Sequence, residues 1–121
     1  MSEVGSYDIS IVQGESWKIK LTLTEDDGSV INLTDYLVKM QIRQYYNDTV
    51  IQELTIANNG IDMSEAISGI VYLIIAKTDT VTYDFSDAMY DIRFIKPVTL
   101  DASYILEGKV EINRSITIDE W

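Results

Sequence analysis

The chain contains no cysteine, no histidine and only one proline. The lack of cysteine excludes disulfide bonds and zinc–thiolate sites, and it leaves the redox compartment undetermined. The lack of histidine removes the commonest general base and the commonest transition-metal ligand. Serine and threonine are plentiful, but no motif supports a Ser–Lys dyad. We therefore expect a protein that is not an enzyme and that has no catalytic residues, no metal and no cofactor.

Basic residues are also scarce, since nine lysines and arginines stand against twenty acidic residues, for a formal net charge of −11. Such a chain repels nucleic acid, and the sequence shows no local basic patch. The longest apolar segment, 69–76, fits a buried strand and is too short to span a membrane. The first residues lack the basic and apolar segments of a secretory signal. We expect no nucleic-acid partner, no membrane span, and a chain made in the cytoplasm.

Apolar and polar residues alternate in several short segments. In one of them Trp17, Ile19 and Leu21 fall on one face, while Lys18 and Lys20 fall on the other. This period of two predicts strands with one buried face. The predicted strands are Tyr7–Val12, Glu15–Thr24, Leu37–Gln44, Val50–Ala57, Ile70–Ala76, Ala88–Lys96 and Ser103–Arg114.

The fold class that these segments predict is all-β. Seven or eight antiparallel strands with at most one short helical turn are typical of a sandwich or a partly open barrel. Ile70–Ala76 is apolar on both faces, so we expect it to be a central strand. The 121 residues are the usual size of one domain. We predict a single domain, 1–121, with a polar lead, 1–6, and a tail, 118–121.

Two acidic motifs invite a functional interpretation. The turn Glu25–Gly28 could suggest calcium, but it lacks the alternating aspartates of a calcium loop, and a plain hairpin turn is the better interpretation. Glu107 and Glu111 could suggest a carboxylate pair, but Lys109 lies between them on the same face. A solvated ladder of alternating charge explains these three residues better.

Tyrosine is the one residue type here that is both enriched and suited to recognition, with eight copies. Tyr45, Tyr46 and Tyr83 fall in turns or at strand ends, where aromatic side chains can anchor a partner. Asp48 and Asp84 lie beside them and would face a basic surface on that partner. We predict that these five residues bind a partner; packing at the edge of the sandwich is the alternative role for the tyrosines.

A series of short motifs runs in a fixed order along most of the chain. The motifs are Gln13-Gly14, Asp27-Gly28 with Ile31–Tyr36, Met40–Arg43, Tyr90–Ile92, and Gly108–Val110 with Ile116-Thr117. In order and spacing the series resembles a family of small bacteriophage and prophage virion proteins. It is similar to the N-terminal domain of the upper baseplate protein of tailed phages.

The resemblance implies an immunoglobulin-like antiparallel β-sandwich that serves as an attachment or assembly module in a virion. Its place would be the tail, baseplate or neck, and its partners would be other virion proteins. Several copies would be placed by a symmetric assembly. Two alternatives remain open: a capsid decoration protein, and a free-standing β-sandwich that binds carbohydrate or protein.

Overall fold

The computed structural model describes residues 3–46, 48–99 and 102–116; the predicted tail, 118–121, and Thr117 of the resemblance lie outside them. The described residues form nine strands: β1 Glu3–Ser6, β2 Ile9–Val12, β3 Trp17–Thr22, β4 Leu37–Arg43, β5 Gln52–Thr55, β6 Ile61–Asp62, β7 Ile70–Ile75, β8 Asp87–Ile95 and β9 Ala102–Asn113. A 3₁₀ turn, Ala66–Ser68, and a helical turn α1, Lys77–Thr80, lie between strands. Neither described helix has the length or apolar character needed to cross a membrane.

The strands form two sheets. The larger sheet has the order β1–β9–β8–β4–β5, with β2 following β1 along the same edge of β9. Both β1 and β2 run parallel to β9, whereas the other pairs are antiparallel. The smaller sheet has the order β3–β7–β6 and is antiparallel. The predicted all-β sandwich is therefore confirmed, and Ile70–Ile75 is the central strand of the smaller sheet, as expected. In detail the prediction is corrected, because β1 and β2 pair with β9 in parallel, the described residues form nine strands where seven or eight were expected, and they form two helical turns where at most one was expected.

The core lies between the two sheets and is built from the alternating apolar residues. Its buried residues include Trp17, Met40, Ile42, Ile92 and Val110. Ile19 and Leu21 are half-buried and pack against this cluster. Period-two alternation thus places the apolar side of each strand against the opposite sheet.

Two of the nine strands were not predicted. β1 falls in the expected polar lead, and β6 has only two residues. Neither segment is long enough to show an alternating pattern, and each forms because a neighbouring strand offers unpaired backbone groups. The backbone of β1 pairs with β9 from Glu3 opposite Tyr104 to Ser6 opposite Glu107. The lead is therefore part of the larger sheet.

The acidic turn 25–28 closes a small hairpin in the segment that connects β3 to β4, where Thr24 and Val30 form an isolated antiparallel bridge. The Glu25 amide donates to the Ser29 carbonyl at 2.7 Å, and Gly28 has a φ of 89°, which favours glycine. The Asp27 carboxylate accepts hydrogen bonds from the Ser29 hydroxyl and amide, which hold the pKa of Asp27 below its usual value. This carboxylate therefore closes the turn. Within the described residues, no three acidic side chains cluster closely enough to hold a metal ion.

Candidate functional site: the outer face of the larger sheet

An open groove of about 980 Å³ lies on the outer face of the larger sheet. Its floor is formed by side chains of β4, β8 and β9 that point away from the core. Alternate residues of β4 illustrate why: Val38, Met40 and Ile42 are buried, so Lys39 and Gln41 face outward. The groove is thus a direct consequence of the period that builds the core.

Strand register arranges the outward charges in rows that cross the strands. Lys39 lies opposite Arg93; Asp91 lies opposite Glu107; Arg43 lies opposite Met89, and Met89 opposite Lys109; Asp87 lies opposite Glu111. We name these rows, in order along β4, the first basic row (Lys39, Arg93), the first acidic row (Asp91, Glu107), the second basic row (Arg43, Lys109) and the second acidic row (Asp87, Glu111). The sign of the charge therefore alternates along the strands and is constant across them.

This arrangement does not stabilise the sheet of a single chain. Like charges on directly opposite residues are destabilising, whereas opposite charges would contribute up to about 1 kcal/mol per pair. Three of the four rows set like charges directly opposite each other on neighbouring strands. The face therefore has a charge pattern that its own folding does not explain.

Some of these charges are partly compensated within the face. Arg93 Nε lies 3.2 Å from Asp91 Oδ2 in an exposed ion pair, which contributes little to stability. The Gln41 amide donates to Glu53 at 2.6 Å. The ammonium groups of Lys39 and Lys109 have neither a hydrogen bond nor an ion pair within the described parts of the chain. Two positive charges on this face are therefore free to meet a partner.

Apolar and aromatic side chains lie at the two ends of the groove. At the end before the first basic row, Leu37 is 48% exposed, Ile56 is 46% exposed and Ile95 is half-buried. At the opposite end, Tyr45 and Tyr46 are 69% and 81% exposed. Large apolar groups at both ends, with charged rows between them, are typical of a surface that binds protein.

The two exposed tyrosines are held in place by a fixed turn after β4. The Arg43 guanidinium donates to the Asp48 carbonyl at 3.1 Å and also to the Tyr46 carbonyl. The Asp48 amide donates to the Tyr45 carbonyl at 3.1 Å. Because the turn closes on Arg43, the tyrosine rings are presented at the rim of the groove by bonded backbone.

The groove differs in charge from the rest of the molecule. Its lining contains four basic residues and three acidic ones, a formal net charge of +1: Lys39, Arg43, Arg93 and Lys109 against Asp8, Asp91 and Glu107. The whole chain carries −11, so the remainder carries −12. The groove is therefore the part of this acidic molecule that a negatively charged surface can approach.

The five predicted partner-binding residues do not form one surface. Tyr45 and Tyr46 are exposed at the groove and Asp48 is exposed beside them. Asp84 is exposed but does not line the groove. The prediction for Tyr83 is wrong, because its side chain is only 3% exposed and cannot anchor a partner.

Tyr83 is buried because its segment folds back onto the sandwich. Its ring packs on Phe85 at 5.2 Å between centroids, and its hydroxyl donates to Gln52 Oε1 at 2.7 Å. The Gln13 amide donates to the Tyr83 carbonyl at 2.8 Å. Burial, and secondly the charge of Asp79, raise the pKa of Tyr83 above its ordinary value. Tyr83 therefore has a structural role, which is the packing alternative considered for the tyrosines.

The sequence did not predict the four rows of charge, although it predicted the outward position of some of their residues. The alternation of Glu107, Lys109 and Glu111 along the outer face of β9 is confirmed by their exposure. The order of charges across β4, β8 and β9 depends on inter-strand register, which a single sequence does not specify. The only available signal was the set of outward charges on each strand taken separately.

Comparison with known proteins identifies the class of fold. The chain matches no protein-family model and no curated protein. The structure of the NK cell receptor Nkp44, a triggering partner in natural cytotoxicity, matches 93% of this chain and 100% of its own length, with a TM-score of 0.50 and 9% identity. A chain from the complex of ICOS with ICOS-L and an anti-ICOS-L VNAR domain matches 93% of this chain and 56% of its own length, with a TM-score of 0.41 and 12% identity. The likeness to Nkp44 is one of fold, and the predicted immunoglobulin-like sandwich is confirmed.

Proposed function

We propose that this domain is a protein-binding module whose binding surface is the outer face of the larger sheet. The observation that carries the proposal is the groove, which combines exposed tyrosines and aliphatic side chains with lysines that lack partners. Tyrosine and arginine are enriched in the centres of protein interfaces, and charged rows add specificity. The groove has no histidine or cysteine, so binding suits its chemistry better than catalysis.

Within that role we propose a virion as the setting. The ordered motif series supports an attachment or assembly module of a phage tail, baseplate or neck, with other virion proteins as partners. Capsid decoration is the other position on a particle that the same surface would serve. In either position, symmetry would place several copies side by side, and each copy would need a specific lateral surface.

A free-standing binding domain is the second candidate. The specific observation in its favour is the shared fold with Nkp44, which is described as a receptor and a triggering partner. The fold alone does not assign a function, since one fold carries many binding roles. The two candidates share the groove as binding surface and differ in where the partner is found.

Particle incorporation tests the proposal. An epitope-tagged chain is expressed during particle production, and particles purified on a density gradient are probed for the tag. We expect the parent chain in the particles and expect Leu37→Glu to abolish its incorporation, because the new carboxylate lies in the apolar end of the groove. Ile67→Glu is the matched control, since Ile67 is 68% exposed outside the groove.

Equal incorporation of both variants would show that the groove is not the contact surface. Absence of the parent chain from purified particles would contradict the virion setting and favour the free-standing domain. Thermal unfolding of both variants establishes that each is folded before incorporation is compared.

A further inference from the structure

We propose that the protein bound by this face is a second copy of the same chain, docked face to face about a two-fold axis. The axis lies in the plane of the interface, runs across the strands, and passes between the first acidic row and the second basic row. The inference rests on the proposed function, because it names the partner of the same surface.

The alternation of the rows makes the face complementary to itself. A two-fold axis of this kind reverses the order of the rows on the second copy. The first acidic row of one copy then faces the second basic row of the other. The first basic row likewise faces the second acidic row. All four rows therefore meet a row of opposite charge. This match is possible because the sign of the charge alternates along the strands.

The same operation matches the two ends of the groove. It brings the end that carries Tyr45 and Tyr46 in one copy against the end that carries Leu37 and Ile56 in the other, and the reverse contact forms at the far end. All four side chains are large and between 46% and 81% exposed in the single chain. Burying tyrosine rings on aliphatic side chains is a usual source of affinity in protein interfaces.

Docking also resolves the unexplained features of the single chain. Like-charged cross-strand pairs repel each other within one sheet, and a row of opposite sign placed above them offsets that repulsion. Lys109 lies in the second basic row and would face the carboxylates of Asp91 and Glu107. Arg93 of the first basic row lies on β8 and would face Asp87 on the same strand of the other copy, with Lys39 one strand to the side of that carboxylate. The Lys109 ammonium would thereby gain a direct partner, and Lys39 would gain a diagonal one.

The distribution of net charge selects this face for contact between copies. The groove lining carries +1, so with the second acidic row the docked face carries −1, while the remainder of each chain carries −10. Contact through the rest of the surface would on balance bring acidic residues against acidic residues. At physiological salt, charges more than about 8 Å apart are largely screened, so the outer acidic surfaces oppose the contact only weakly. Two copies therefore approach with least repulsion through their grooves.

A charge-exchange experiment tests the geometry on the purified full chain. Sedimentation equilibrium or light scattering should show a shift with concentration from 13.8 kDa to twice that mass. In the first variant, Asp91→Lys with Glu107→Lys turns the first acidic row basic. In the second, Arg43→Glu with Lys109→Glu turns the second basic row acidic. Each variant alone should remain monomeric, because rows of equal sign now meet.

An equimolar mixture of the two variants should recover the dimer. In the mixture, the basic rows of the first variant face the acidic rows of the second, so complementarity returns without the parent chain. Two controls match the changes in net charge outside the groove: Glu25→Lys with Asp26→Lys in the hairpin turn, and Lys18→Glu with Lys20→Glu on the smaller sheet. Both controls should dimerise like the parent. Thermal unfolding checks the folding of each variant, and Lys109→Glu alone provides a milder change that should weaken the dimer.

A parent chain that stays monomeric at every concentration would overturn the inference. Mixed variants that fail to associate, or controls that lose the dimer, would also overturn it, as would open-ended assembly in place of a closed dimer. These outcomes are separable from the proposed function. A monomeric chain whose incorporation into particles still fails with Leu37→Glu would bind a different protein through the groove. A dimer absent from particles would contradict the virion setting alone.

Discussion

At the scale of single residues, Gly108 permits the crossing of two segments at the edge of the larger sheet. The junction between β1 and β2 passes close over β9, where the Tyr90 hydroxyl donates to the Tyr7 carbonyl. The Lys109 amide donates to Asp8 Oδ1 at 2.9 Å. A Cβ atom at Gly108 would lie 2.1 Å from the Tyr7 carbonyl oxygen. Only glycine leaves room for that backbone.

We predict that Gly108→Ala destabilises the protein. The added methyl group meets backbone and cannot be accommodated by a side-chain rotation, so the strands must separate locally, at a cost of about 1–3 kcal/mol. Denaturant unfolding measures the change. Gly5→Ala is the control, because its added Cβ would meet the Leu106 side chain at 3.3 Å and the nearest backbone atom, the Ile105 carbonyl oxygen, at an ordinary 4.0 Å. Equal unfolding midpoints for Gly108→Ala and the parent would show that the junction can shift freely.

At the scale of secondary-structure elements, sequence alternation predicts those strands that bury one face. β3, β4 and β9 follow from alternating apolar residues, and their buried sides are the expected ones. β1 and β6 could not be predicted in the same way, since four or two residues show no period. They depend on pairing with a strand distant in sequence, which local pattern does not encode.

The candidate site was likewise predictable only in part from the sequence. The outward positions of Lys39 and Lys109 could be predicted from strand alternation. Their arrangement in rows could not, because it depends on the register between β4, β8 and β9, and a shift of one residue would reverse the faces. Aromatic residues in turns were sufficient to predict Tyr45 and Tyr46 at the surface.

The segment that contains α1 shows that polar residues can be buried in this fold. Thr80 is fully buried and Gln13 is 6% exposed. The Thr80 hydroxyl donates to the Glu15 carbonyl at 2.8 Å, and the Gln13 amide donates to the Tyr83 carbonyl. Polar groups can be buried without a large penalty when they are hydrogen-bonded. These long-range hydrogen bonds make the segment part of the packed structure, although Tyr83 and Asp84 were predicted to bind a partner there.

We predict that the tyrosines separate into two classes on truncation. Tyr45→Ala with Tyr46→Ala should change stability by no more than about 0.5 kcal/mol, because both side chains are exposed. Tyr83→Ala should cost about 3–5 kcal/mol, because a buried ring is removed. Tyr83→Phe keeps the ring and loses the hydroxyl bond to Gln52, at a cost of about 1 kcal/mol.

Denaturant unfolding measures the order of stability of the three variants. Mass determination of the Tyr45→Ala, Tyr46→Ala double variant reports the loss of the dimer. A Tyr83→Ala variant as stable as the parent would mean that the segment 76–86 does not pack as the structure shows. A fully dimeric double variant would remove the tyrosines from the interface.

At the scale of the whole molecule, the charge distribution bears on nucleic acid. Four of the nine basic residues line the groove, which a phosphate backbone could otherwise follow. The first acidic row lies between the two basic rows, so a nucleic-acid chain crossing the face would meet carboxylates as well as lysines. The absence of a nucleic-acid partner stays a prediction, and a salt-sensitive gel shift with duplex or single-stranded DNA would contradict it.

The free energy of unfolding of the protein should decrease at alkaline pH. Burial raises the pKa of Tyr83 and of Tyr90, with smaller contributions from the charges of Asp79 and Asp8 respectively. The unfolded chain ionises these hydroxyls near their ordinary pKa of about 10, whereas the folded chain keeps them neutral. Their contribution is therefore fully present below pH about 10 and is lost as the pH rises toward the folded values.

We predict that an absorbance titration of tyrosinate shows Tyr83 and Tyr90 ionising late, together with unfolding. The Tyr83→Phe and Tyr90→Phe variants should each remove one late-ionising group and reduce the loss of stability with rising pH. Tyr45→Phe is the control, since it removes a hydroxyl from an exposed ring. If all eight tyrosines ionised together in the folded protein, Tyr83 and Tyr90 would have to be accessible to solvent. The packing of the 76–86 segment and the contact of Tyr90 with the β1–β2 junction would then both be wrong.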